Sequence, residues 1–111
     1  MLADNNGDNF LQLMADKGDE KKVAELLLQG VSMDELNYQN PYGNTALYLA
    51  ANHNHINVVK LLLAHGADPE LANVEGQKPV DAAIRQGLFD VCAILGHALP
   101  VAPPMDPIDN L

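Results

Sequence analysis

The chain has 111 residues, enough for one domain around one core, and 48% of them are hydrophobic, which excludes general disorder. No apolar run approaches the length of a membrane span. Six Lys and Arg stand against fifteen Asp and Glu, a net charge of -9, which argues against nucleic acid and anionic membranes because both need clustered cations.

The acidic balance favours a basic partner, and it equally keeps a small domain soluble. Residues 1–9 form a polar, acidic leader with no basic stretch followed by an apolar core, so no secretion signal is expected. Cys92 is the single cysteine and cannot form an internal disulfide. Both features suit a reducing, intracellular and cytoplasmic setting, and are compatible with a secreted effector.

Three copies of one pattern follow. In the first, about 10–39, Leu11, Ala15, Val23, Leu26 and Gly30 fall on Leu47, Ala51, Val59, Leu62 and Gly66 of the second at a shift of 36. The second, 40–72, falls on the third, 73–99, at a shift of 33. Gly43 then meets Gly76, Leu47 meets Val80, Ala50 meets Ala83 and Leu62 meets Leu95. The difference between the shifts places an insertion around 33–36, where a loop is expected.

Within the middle copy the periodicity predicts a helix over 45–53, with Thr45 as N-cap and Leu47, Ala50 and Ala51 on one side. A second helix is expected over 56–64, apolar around most of its girth and so covered from several sides. Asn54 is the best non-glycine residue for a left-handed turn between them, and Gly66 stops the second helix. Residues 67–76 are rich in turn formers and predict an extended or hairpin connection. In the third copy Pro79 opens a helix, and Cys92 sits in register with Val59 as a small core residue. Pro100 ends the final helix, and 100–111 is a proline-rich tail expected to be mobile. Its last residues, Ile108-Asp109-Asn110-Leu111, would suit strand addition to a peptide-binding domain.

The stretches Gly43-Asn44-Thr45-Ala46-Leu47-Tyr48-Leu49-Ala50-Ala51 and Val58-Val59-Lys60-Leu61-Leu62-Leu63-Ala64-His65-Gly66-Ala67-Asp68 resemble the ankyrin repeat. The resemblance covers about 10–99. Ala46 and Tyr48 depart from the proline and histidine of the family pattern, and Lys78 and Asp81 from its threonine and histidine. The first and last copies look like the capping repeats of the family. The resemblance implies an all-α fold, a solenoid of three stacked helix-turn-helix repeats joined by long hairpin-like loops.

It also implies a module that binds another protein, as an adaptor, inhibitor or targeting domain, with no enzymatic activity and no cofactor. Family members bind with loop tips and the exposed face of each first helix. Carried over by position, these are Gln39, Pro41, Tyr42 and Asn44, then Ala72, Val74, Glu75 and Gln77 on the loops. On the helices they are Asp16, Lys17, Asn52, His53, Arg85 and Gln86. Tyr42, an aromatic on a loop tip, is the foremost candidate and Arg85 the second. A monomer is expected. The alternatives are a structural or self-associating repeat unit, or a fragment of a larger ankyrin protein. His53, His55 and His65 do not share a helical face, which disfavours a metal site, and no spacing points to catalytic residues.

Overall fold

The computed structural model describes residues 7–98. The tail expected over 100–111 and the first six residues of the leader lie outside the described residues.

Among the described residues seven helices follow one another: α1 (Phe10–Lys17), α2 (Glu20–Leu28), α3 (Met33–Leu36), α4 (Ala46–Asn52), α5 (Ile56–Ala64), α6 (Pro79–Gln86) and α7 (Phe89–Ala98). The first helices of the repeats, α1, α4 and α6, pack side by side in one layer, and the second helices, α2, α5 and α7, in another. Each greasy second helix thereby gains cover from its own partner helix and from its neighbours. Leu11, Ala15, Val23, Leu47, Ala50, Ala51, Val58, Val59, Leu62, Ala83, Val91 and Leu95 make one continuous core. Small residues at Ala15 and Ala51 allow the first helices to approach closely. Cys92 is half-buried and packs against this core.

The helix ends follow the local chemistry. Thr45 caps α4, its hydroxyl accepting from Tyr48 N at 3.1 Å. Asn9 caps α1 in a reciprocal box, its side chain accepting from Gln12 N at 2.9 Å while Gln12 Oε1 accepts from Asn9 N at 3.1 Å. Lys78 at the start of α6 has no side-chain acceptor; Asp81 Oδ2 takes its backbone N–H instead, at 2.9 Å. Asn54 does adopt the left-handed conformation between α4 and α5, with φ 60°.

Two features differ from the sequence expectations. The insertion at 33–36 is not an open loop but the one-turn helix α3, held by a Ser32–Glu35 capping box and seating Leu36, 2% exposed, in the core. The polar leader expected over 1–9 does not extend to residue 9. Asp8 and Asn9 are buried, Asp8 accepts from Asn40 Nδ2 at 2.6 Å, and Asn9 caps α1. These two residues belong to the first repeat because their polar groups satisfy a neighbour's backbone and side chain.

Candidate partner-binding surface

The loops before α4 and α6 are built alike. Asn40 Oδ1 accepts from Tyr42 N and Asn44 N, and Asn73 Oδ1 accepts from Glu75 N and Gln77 N. Backbone bonds from Asn40 N to Asn44 O and from Asn73 N to Gln77 O close each hairpin-like turn. An asparagine side chain thus replaces the strand ladder that a longer hairpin would have.

The loops are tied to one another in register. Asn40 Nδ2 donates back to Asp8, and Asn73 Nδ2 donates back to Asn44 Oδ1 at 3.1 Å, one rung per repeat. Val74 N donates to Tyr42 O at 3.0 Å, and Gln39 Nε2 donates to both Gly43 O and Ala72 O. Beneath them Gln12, fully buried on α1, donates to Tyr38 O at 2.7 Å and to Asn44 O at 2.8 Å. The tips are therefore exposed but positioned.

Between these tips and α4 runs a groove of about 240 Å³ lined by Tyr42, Asn44, Tyr48, Asn52, Asn73, Val74 and Glu75. Tyr42 and Val74 stand on its two rims, 57% and 72% exposed. Among the described residues no cation lies within ion-pair distance of Glu75.

The structure brings five of the sequence candidates, Tyr42, Asn44, Asn52, Val74 and Glu75, to this groove. It adds Tyr48 and Asn73. Tyr48 and Asn52, four apart on α4, share one helical face, a signal present in the sequence, and Asn44 joins them from the loop before the helix. The other candidates are engaged elsewhere. Arg85 Nη1 donates to Gln77 Oε1, to which the Tyr48 hydroxyl also points at 3.5 Å, and among the described residues no carboxylate pairs with Arg85. Gln86 Nε2 donates to Asn52 O at 2.7 Å and to Asn52 Oδ1 at 2.6 Å. Pro41 packs on the backbone of Gly7, where an added Cβ would lie 2.4 Å from its Cδ. Gln39 bridges the two loops.

His53 lies at the far end of α4, its Nε2 2.9 Å from Asp16 Oδ1. The neighbouring His55 donates from Nε2 to Asp16 O at 2.9 Å and packs on Gly18, so both rings tie repeat two to repeat one. Among the described residues no group of three or more His, Cys, Asp or Glu is placed to hold a metal ion. No helix among them is long and apolar enough to cross a membrane.

The family model described as ankyrin repeats (3 copies) matches residues 2–100. The chain is 36% identical over 92 residues to an ankyrin repeat and KH domain-containing protein of Caenorhabditis briggsae, covering 82% of this chain and 3% of that one. It is 32% identical over 95 residues to a putative ankyrin repeat protein of Rickettsia bellii (strain RML369-C), covering 82% of this chain and 56% of the relative. Similarity to NF-kappa-B inhibitor alpha of Rattus norvegicus is 36% over 92 residues, covering 81% and 29%. The chain thus spans little more than half of the Rickettsia relative and much less of the others. With the two helical layers and the linked loops, these matches show that the chain belongs to the ankyrin-repeat family, whose members are in general protein–protein interaction modules.

Proposed function

We propose that this domain binds a partner protein through the groove between its loop tips and α4. Tyr42 and Val74 act as anchors on the rims, Asn44, Tyr48 and Asn52 offer polar groups from the floor, and Glu75 takes a cation, so the partner presents a basic residue beside an apolar one. The observation that carries this reading is the pair of exposed apolar side chains on tips whose backbones are bonded to each other. Anchors held in place lose little entropy on docking, and aromatic anchors dominate interface energies.

The test is capture of a partner from lysate of the source organism or its host, with wild type beside Tyr42→Ala/Val74→Ala and, separately, Arg85→Ala. Circular dichroism would establish that all three are folded. The expected result is a weakening of about 10-fold or more for the groove variant, with Arg85→Ala close to wild type because its guanidinium faces Gln77. Equal retention by the groove variant would move the site elsewhere. A second reading, self-association, draws on Ile84 and Phe89, which are 62% and 83% exposed at the end of the stack. A mass that rises with concentration, and falls back in Ile84→Glu/Phe89→Glu, would favour it.

A further inference from the structure

On the opposite side of the molecule, α2 and α5 lie against each other and leave an open groove of about 690 Å³ between them. Its floor is apolar: the small Ala24 on α2 and Ala64 on α5 leave it open, with Leu61 of α5 beside them. At one end Asn57 Nδ2 donates to Glu20 Oε2 at 3.1 Å, which holds that carboxylate at the end of the groove and leaves its charge in place. Lys21 and Lys60 flank the floor, are exposed, and have no carboxylate within ion-pair distance among the described residues. Lys22 and Lys78, by contrast, are paired with Glu25 and Glu70.

Cations are scarce in this chain, and their placement is uneven. Four of the six Lys and Arg, namely Lys17, Lys21, Lys22 and Lys60, lie on α1, α2 and α5. The neighbouring groove between α5 and α7 has Asp90 on its lining with Lys60, and so lacks this bias. We infer that the α2–α5 groove is a second docking site, for an apolar segment of a partner protein that carries acidic residues to reach Lys21 and Lys60. The chain's net charge of -9 opposes an acidic ligand at long range. At physiological salt, however, the screening length is about 8 Å, so the ligand responds mainly to the lining, where the two lysines outnumber the one carboxylate, Glu20. This site is independent of the loop groove, which prefers a basic segment.

The test uses nuclear magnetic resonance titration of the full chain with a 12-residue peptide alternating leucine and glutamate, beside a control in which lysine replaces every glutamate. Shifts confined to Ala24, Leu61, Ala64 and their neighbours, absent with the control, are the expected result. Lys21→Glu/Lys60→Glu, two exposed positions whose exchange leaves the core intact, should bind at least 10-fold more weakly, and the difference should shrink as salt is raised. Binding that is equal in this variant, or that the lysine peptide reproduces, overturns the proposal. A truncation after Ala98 provides a further arm: if it shifts the same resonances without any peptide, the occupant is the chain's own C-terminal segment and not a partner.

Discussion

Asn40 and Asn73 show how little sequence a precise loop needs. One side chain accepts from two backbone N–H groups and donates to the preceding repeat, so each asparagine shapes its own loop and sets its spacing from the one before. Glycine at the loop tips works under different demands in the two loops. Gly43 has φ 79°, and a Cβ there would lie 2.8 Å from Asn73 Cα and from Val74 N, which are backbone atoms that cannot swing aside. Gly76 has the equivalent φ of 78° with nothing within 4 Å. Gly76→Ala should therefore cost about 1 kcal/mol, the price of a left-handed alanine, and Gly43→Ala about 2–4 kcal/mol. Urea denaturation of the two variants measures the difference, and equal losses would mean that the loops do not touch in solution as described.

At the scale of elements, the starts of α4 and α6 answer one structural need with different residues. Thr45 is buried and takes the N–H of Tyr48, so Thr45→Ala should destabilise the protein by about 1–2 kcal/mol. At Lys78 there is no hydroxyl to take the equivalent N–H, and Lys78→Thr should raise the denaturation midpoint. The substitution removes the hydrogen bond to Glu70, which together with that carboxylate's charge holds the Lys78 ammonium above the ordinary lysine range. A raised value means that the contribution of this pair is complete below the ordinary lysine pKa and is lost as pH climbs through the folded one. The gain from Lys78→Thr should accordingly be larger at high pH than at neutrality. Helix α3 illustrates the same economy: four residues with a cap at one end suffice because Leu36 is driven into the core.

For the whole molecule, the two helical layers are continuous, and each repeat borrows much of its core from its neighbours. A stack of three repeats should unfold as one cooperative unit. The buried Gln12 offers a way to test this, since it sits in the first repeat and donates to two carbonyls outside α1. Gln12→Leu leaves Tyr38 O without this donor and Asn44 O with Asn40 N alone, which should cost about 1–3 kcal/mol. Helical circular dichroism and tyrosine fluorescence should then fall together at one lower midpoint. Two separated transitions would show that the repeats unfold independently. The far end of the stack differs from the middle: Ile84 occupies the register of the fully buried Ala51 yet is 62% exposed. Its bulk would hold a further repeat farther off than Ala51 holds α6.

The sequence by itself determined the repeat and therefore the fold. Period, cap at Thr45, turn at Asn54 and the all-round apolarity of α5 are local or nearest-neighbour properties, and repeats of one unit can stack only on themselves. Tyr42 at a loop tip was legible for the same reason. Only the tertiary structure decided which polar residues are available to a partner. Gln39, Gln77, Arg85 and Gln86 read as free surface groups along the chain, yet each finds an acceptor or donor 4 to 34 residues away. Asp8 and Gln12 read as ordinary polar residues and prove to be buried. Polar side chains have no periodic signature of their hydrogen-bond partners, because those partners are chosen by which loops and helices the stacking brings side by side.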